Sequence, residues 1–336
     1  MLLLITSCGN LAFANTTLIG KPCPKEGAVT QIGNSGYKCV AYGKKLLWIA
    51  STPPKKFDTL ISFPLLDSGL KDLQARVKPF TYKDLVDIKV EKGLENYTWV
   101  KDSVSSINSG LQMLSAFNAL PDEKVVYFYF WNESYPKSLL SKECFELGTW
   151  AGGGKCAPIA LGSLKWFGDR TGITSPKGMN SYSDEIWKYG IISSTPHEMG
   201  HLGQQTLWRK FQIKVPKPAW IREGTSELFK VLSYANQNKI SYSKSRVFYM
   251  QGGDACKGVP LKSLSDTISY PSSCEYSNGM LAMEYLIQKI GSIDALFYWD
   301  TKANGMNIKE RFRSAYNLDW DKFLVEADAY IKKQYR

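Results

Sequence analysis

Two histidines stand four residues apart in the segment His197-Glu198-Met199-Gly200-His201, and the 336-residue chain has no others. Residues four apart on an α-helix project from the same face, so the two imidazoles can bind one metal ion. Glu198 then lies at the edge of that face. A metal-dependent hydrolase needs a carboxylate there that is not a ligand and takes a proton from water. The spacing predicts a helix with two metal ligands and a candidate general base.

Local signals place the start of this helix at Thr195, a suitable N-cap, with Pro196 in the first helical position. The helical pattern continues toward Lys210. A four-residue spacing also arises by chance on solvated helices, so a third ligand is needed to support a metal site. Because no histidine remains, a carboxylate must complete the site. One is suitably placed in the segment from Trp220 to Glu227.

The two segments together resemble the gluzincins, the thermolysin-like and aminopeptidase-like zinc peptidases, and most closely their broad peptidase MA-like group. These enzymes pair HExxH with a downstream W-x-x-E-G, which matches Trp220-Ile221-Arg222-Glu223-Gly224 here. The resemblance implies that His197, His201 and Glu223 hold one Zn²⁺ per chain. It implies that Glu198 is the general base and that the substrate is a peptide or protein.

The resemblance also gives roles to residues outside the ligand set. Glu227, one turn beyond Glu223, is expected to accept the second ring N–H of a ligating histidine; the alternative is an exposed helix carboxylate. Tyr276 opens a Tyr-x-x-Gly pattern, Tyr276-Ser277-Asn278-Gly279, in which the tyrosine hydroxyl of relatives stabilises the oxyanion of the transition state. A packing role for Tyr276 is the alternative, because the chain has 19 tyrosines and Tyr285 lies on the same stretch.

A cleft-bordering strand that pairs with the substrate backbone is also implied by the resemblance. The candidate is the segment from Ala157 through Ile159 to Leu161. The G-x-M-E-N signature of the aminopeptidase branch is absent. The choice between endopeptidase and exopeptidase action is therefore open.

The fold class implied is α+β, a zincin-like two-part metallopeptidase domain over residues 53–336, with a mixed α/β upper part at 53–193 and a helical part at 194–336. Periodicity in the sequence agrees with this division. A helix is predicted from Ser103 to Leu120, followed by a β-rich run from Val125 to Trp131. The apolar face predicted for this helix consists of Val104, Ile107, Leu111, Leu114 and Phe117. Nearly everything after Thr195 is predicted to be helical, ending with a helix from Trp320 to Tyr330. The apolar spacing of this tail predicts a core-facing stripe of Trp320, Phe323, Leu324, Ala327 and Ile331.

Residues 1–14 have the pattern of an export signal, with an alternative lipobox at Ile5-Thr6-Ser7-Cys8-Gly9. Six other cysteines remain, and an even number in an exported chain favours disulfides. Their spacing favours pairs of sequence neighbours, although six cysteines allow fifteen pairings. The expected pairs are Cys23 with Cys39, Cys144 with Cys156, and Cys256 with Cys274.

Residues 15–52 are expected to form a small disulfide-closed β-hairpin module, followed by a linker-like stretch from Ser51 to Lys56. The module resembles short segments of secreted bacterial proteins, which implies a bacterial source and a secreted, periplasmic or envelope location. Envelope binding and support of folding are both open as its role.

Composition narrows the function classes. The chain is 44% hydrophobic, enough for a substantial core, and its formal charge of +11 is dispersed along the sequence. Because no nucleic-acid-binding motif accompanies this charge, we expect no nucleic-acid partner. The apolar run from Val125 to Trp131 is too short to span a bilayer, which takes about 20 residues. We therefore expect a chain that is soluble or held by one lipid. We also expect a monomer.

Two other functions remain open at this point. One is an envelope-binding protein with a vestigial or structural zinc site. The other is a zinc hydrolase that acts on a substrate other than a peptide.

Overall fold

The computed structural model describes residues 21–32, 35–42, 45–50, 62–146, 156, 159–163, 185–213, 216–250, 256–265 and 273–335. The expected export signal, the linker-like stretch 51–56 and Ala157 lie outside these residues.

The N-terminal module is an antiparallel sheet with strand order β1-β2-β3, formed by Val29–Ile32, Ser35–Tyr42 and Lys45–Ala50. It therefore has one strand more than the expected hairpin. Alternation along β2 buries Tyr37 and Cys39 on one face, and Trp48 of β3 lies opposite Cys39. The disulfide between Cys23 and Cys39 closes this small core.

A second sheet is parallel, with strand order β4-β5-β6, formed by Val86–Val90, Val125–Phe130 and Ile159–Ser163. The central strand β5 is apolar throughout, as expected for a parallel strand covered on both faces. Tyr127 and Tyr129 join the main core, whereas Phe128 and Phe130 pack in a cluster on the other face.

The rest of the described chain is mainly helical, in agreement with the expectation for residues beyond Thr195. The α-helices are α1 (Pro64–Arg76), α2 (Tyr82–Leu85), α3 (Thr98–Ala116), α4 (Ser134–Leu139), α5 (Lys142–Glu146), α6 (Glu185–Phe211), α7 (Ala219–Asn238), α8 (Tyr242–Met250), α9 (Ser273–Ile290), α10 (Tyr298–Lys302), α11 (Ile308–Tyr316) and α12 (Trp320–Gln334). Short 3₁₀ helices cover Leu261–Leu264 and Ile293–Phe297.

Helix α3 connects the parallel strands β4 and β5, a connection that parallel pairing requires. It spans Thr98–Ala116 instead of the predicted 103–120, and Ile107, Leu111 and Leu114 of the predicted apolar face are fully buried. The stripe predicted for the tail helix is also buried; its members are Trp320, Phe323, Leu324, Ala327 and Ile331.

The predicted start of the histidine helix at Thr195 is wrong. Helix α6 begins at Glu185, and Pro196 lies inside it. A proline inside a helix removes one hydrogen bond and costs about 3 kcal/mol. Burial of Tyr189 and Ile192 against Tyr234 stabilises the turns that precede the proline, which offsets that cost.

The three disulfides join the cysteine pairs expected from spacing: Cys23–Cys39, Cys144–Cys156 and Cys256–Cys274. The third has a direct structural consequence, because Cys274 lies in the first turn of α9. Asn278 on the next turn donates from Nδ2 to the carbonyl oxygens of Cys256 and Val259. The segment from Cys256 to Val259 is therefore fastened to the helix that carries Tyr276.

Three glycines allow helices α6, α7 and α9 to approach closely. A β-carbon on Gly200 of α6 would lie 2.7 Å from the Cα atom of Ser226 on α7. A β-carbon on Gly224 of α7 would lie 2.3 Å from the carbonyl of Gly279 on α9. One on Gly279 would lie 2.4 Å from the carbonyl oxygen of Trp220. These contacts set the backbone separation of the three helices that carry the candidate site residues.

None of the helices within the described ranges is long and apolar enough to cross a membrane.

We predict that Gly224→Ala lowers the free energy of unfolding by about 1–3 kcal/mol or more, because the added methyl group overpacks the crossing with α9. The matched control is Gly190→Ala on α6, where a β-carbon meets no atom within 4 Å. That variant should be neutral or more stable by up to about 1 kcal/mol. Urea unfolding of the oxidised, metal-free chains measures both. An unchanged midpoint for Gly224→Ala would contradict this account.

Candidate metal centre

The side chains of His197, His201 and Glu223 converge on one point between α6 and α7. Their ligand atoms all lie within 4.8 Å of one another. Oε2 of Glu223 is 3.6 Å from Nε2 of His197 and 3.1 Å from Nε2 of His201. Tetrahedral ligands at bond lengths of about 2.0–2.1 Å lie about 3.3 Å apart, so these distances suit a small divalent cation. The group can hold a metal ion.

The second nitrogen of each imidazole contacts a side chain from α7. Nδ1 of His197 lies 2.7 Å from Oε1 of Glu227. Nδ1 of His201 lies 3.0 Å from Oγ of Ser226 and 3.3 Å from Oε1 of Gln204. Such partners set the tautomer that leaves Nε2 free for a metal. Both rings therefore present the same nitrogen to Glu223.

Two cations contact the carboxylates of α7, and an amide from α6 contacts the backbone beside one of them. Nε of Arg222 donates to Oε1 of Glu223 at 2.8 Å, the oxygen that does not face the histidines. Nε2 of Gln204 donates to the carbonyl oxygen of Arg222 at 2.9 Å. Nζ of Lys230 donates to both oxygens of Glu227, at 3.0 and 3.2 Å.

The same Lys230 ammonium also lies over two tyrosine rings. Its Nζ is 5.7 Å from the ring centroid of Tyr189 and 5.5 Å from that of Tyr249. Both distances suit cation–π attraction. The ammonium that neutralises Glu227 is thus held in place from several sides.

Burial and charge act in opposite directions on the carboxylates. Burial raises the pKa of Glu227, but the charges of Lys230 and His197 outweigh burial and lower it to about 2. Burial likewise raises the pKa of Glu223, but hydrogen bonds from His197 and His201 hold it well below its ordinary value. Both groups are ionised at neutral pH.

The pKa of the histidine between these carboxylates is raised rather than lowered. Burial lowers the pKa of His197, but Glu227 and Glu223 outweigh burial and raise it to about 10. The surroundings therefore favour positive charge at this point. A bound metal ion would supply that charge in place of a proton.

Glu198 follows His197 on α6 and is partly buried, and it is not part of the ligand group. Its charge raises the pKa of the Tyr127 hydroxyl, after burial, Tyr129 and Tyr82, and that of Tyr276, after burial and Glu223. The glutamate is therefore near enough to both hydroxyls for its charge to act on them.

Tyr276 lies beside His197. Its ring centroid is 5.4 Å from that of His197, and the planes are tilted by 32°. Burial, with Glu223 next in effect, raises the pKa of Tyr276, so its hydroxyl keeps its proton and remains a hydrogen-bond donor at neutral pH. The hydroxyl of Tyr249 donates to the carbonyl oxygen of Tyr276 at 3.2 Å and fixes the backbone there.

The strand expected to border the cleft is present in part. Ile159 and Leu161 lie on β6, which pairs with β5 and has no second neighbour among the described strands. Ala157 lies outside the described residues.

Sequence reasoning gave no role to four residues that surround the ligands: Gln204, Arg222, Ser226 and Lys230. A helical-spacing signal existed for two of them. Gln204 is three residues after His201, and Lys230 is three after Glu227. Residues three apart share a helix face, so each could have been considered beside its partner.

Comparison of the chain with protein-family models, with curated proteins and with solved structures gave no match.

We predict a graded loss of metal affinity. Glu223→Ala removes a ligand and should abolish binding of one metal ion per chain, whereas Glu227→Gln should weaken binding about 10–100-fold, because it removes the charge beside Nδ1 of His197. Titration against a chromogenic zinc chelator measures both. The control is Glu123→Gln, which alters an exposed carboxylate before β5. Equal zinc affinities for all three variants and the unaltered chain would show that these residues do not form a metal centre.

Proposed function

We propose that this chain is a secreted or envelope-associated zinc metallopeptidase of the gluzincin type, with a zincin-like fold. The observation that carries the proposal is the donor set of two imidazole Nε2 atoms and one carboxylate oxygen. Imidazole-rich sites with a single carboxylate suit zinc better than magnesium or calcium. The three disulfides are typical of an oxidising compartment.

The ligand count favours a catalytic site over a structural one. Within the described residues, no fourth histidine, cysteine, aspartate or glutamate joins the three ligands. Structural zinc sites usually have four protein ligands, whereas catalytic sites keep one position for water or substrate. When bound, zinc would supply Lewis-acid chemistry that acidifies water and polarises a peptide carbonyl.

The proton transfers are assigned to Glu198. It follows a ligand directly on α6, yet it belongs to neither the ligand group nor the ion pairs of Glu223 and Glu227. In the proposed reaction its carboxylate accepts the proton of the attacking water. It then donates that proton to the leaving amine as the C–N bond breaks.

Tyr276 is assigned to charge stabilisation. Its hydroxyl is protonated, and its ring lies beside that of His197. It donates a hydrogen bond to the carbonyl oxygen as that oxygen gains negative charge, an interaction that strengthens only in the transition state. Strand β6 is proposed to pair with the extended substrate backbone.

Glu198→Gln should retain bound zinc and lower kcat by about 10²–10⁴-fold, because the amide cannot accept the proton. The measurement is cleavage of a peptide library by the oxidised chain, read by mass spectrometry, with zinc content determined in parallel. Glu123→Gln is the matched control on an exposed carboxylate. Undiminished cleavage by Glu198→Gln would reject the mechanism. Absence of any chelator-sensitive cleavage by the unaltered chain would reject the peptidase.

Tyr276→Phe should lower kcat about 10²–10³-fold with little change in KM or zinc content, since its hydrogen bond forms in the transition state. Tyr285→Phe is the control on the same helix, where the lost hydroxyl contacts Glu326. An equal effect of the two substitutions would show that Tyr276 has a packing role.

A further inference from the structure

Arg222 is a partly used hydrogen-bond donor beside the ligand group. Its side chain is 32% exposed, whereas that of Glu223 is 5% exposed. Among the contacts within the described chain, its guanidinium donates through Nε to Oε1 of Glu223. A guanidinium has five N–H donors, and no contact among the described residues uses those of the two terminal amino groups. Together they can hold both oxygens of one carboxylate.

With a divalent cation bound, the described charged groups around the site carry more positive charge than negative charge. The three carboxylates of Glu198, Glu223 and Glu227 are balanced by a divalent cation together with Lys230, which pairs with Glu227. Arg222 also pairs with Glu223, so the described groups together carry one positive charge in excess. An anionic group of the substrate would neutralise it.

Lys217, a further cation near Arg222, is already paired with a carboxylate. Lys217 is within range of Arg222 and Glu223, because both affect its pKa, which burial lowers. Its ammonium contacts Oδ1 of Asp300, a buried carboxylate. Of these two described cations, Arg222 is the more exposed, at 32% against 14% for Lys217, and is the better placed to bind a ligand.

The position of Arg222 limits which substrate group it reaches. Oε2 of Glu223 faces the two histidines, and Oε1 of the same carboxylate accepts the hydrogen bond from Arg222. The guanidinium is therefore separated from the ligand atoms by the carboxylate group of Glu223 alone. One residue of extended peptide spans about 3.3–3.6 Å. A carboxylate within one residue of the bond being cleaved is therefore in reach.

We propose that Arg222 binds a substrate carboxylate adjacent to the scissile bond, so that the enzyme prefers peptides cleaved next to an acidic group. The carboxylate is either the C-terminal α-carboxylate or the side chain of aspartate or glutamate. The inference rests on the proposed peptidase activity. If Arg222 served only to orient Glu223, its replacement would affect acidic and neutral substrates equally.

A ratio of rates separates these two roles. A peptide library is prepared with free C-terminal carboxylates and again with C-terminal amides, and it includes Asp and Asn versions of every position. The kcat/KM of each acidic peptide is divided by that of its neutral counterpart. Any general loss of activity or of bound zinc cancels in this ratio.

The unaltered chain should favour one acidic set by about 10–100-fold, the range expected for a hydrogen bond to a charged group. Preference for acids over amides identifies the C-terminal carboxylate, and preference for Asp over Asn identifies a side chain. In Arg222→Gln the ratio should fall close to one, and Arg222→Lys should retain part of it. Arg209→Gln, which removes an exposed charge near the end of α6, should leave it unchanged.

Cleavage with a ratio near one in the unaltered chain, or a ratio unchanged by Arg222→Gln, would overturn the inference and leave the peptidase intact. A binding measurement makes the test independent of turnover. Calorimetric titration of zinc-loaded Glu198→Gln with the same peptides should show tighter binding of the acidic set. Adding Arg222→Gln to that protein should abolish the difference, and persistence of the difference would equally reject the role of Arg222.

Discussion

The close crossing of α6, α7 and α9 is the constraint on which the candidate site depends. Gly200 packs against Ser226, and Gly224 packs against Gly279, so the backbones meet without intervening side chains. Gly200 lies between the two histidines, Gly224 directly follows Glu223, and Gly279 lies one turn beyond Tyr276. The separation of the helices and the positions of the functional groups are thus fixed by the same contacts. Imidazole and carboxylate side chains are short, and larger residues at the crossings would move the ligand atoms apart.

Around this crossing, three neighbouring glutamates have different surroundings. Glu227 pairs with Lys230 and contacts His197, Glu223 receives a hydrogen bond from Arg222 and faces both histidines, and Glu198 is partly buried outside these pairs. A buried carboxylate remains ionised only where positive charge compensates for lost hydration. The cations of α7 therefore allow two buried carboxylates beside one metal position. In the proposed mechanism, these different surroundings make Glu223 a ligand, Glu227 an orienting group and Glu198 a base.

The sequence allowed correct prediction of features that depend on spacing along the chain. The disulfide pairs and the buried stripe of α12 are of this kind. It misplaced the start of α6, because Pro196 is a good local start signal and the burial of Tyr189 and Ile192 that overrides it is a tertiary effect. It gave no role to Ser226, because that contact with His201 depends on the crossing of α6 and α7, which spacing within either helix does not specify.

The residues around the HExxH motif determine whether its two histidines can form a metal centre. HExxH supplies two imidazoles and a carboxylate on one helix, but the ring orientations here come from Glu227, Ser226 and Gln204. Without such partners, either ring nitrogen could face the metal and the two Nε2 atoms would not be directed to one point. A chain with the motif and without the crossing of α6 and α7 would lack the third ligand and two of these three partners. The case for a metal centre therefore rests on the pair of helices rather than on the five-residue motif.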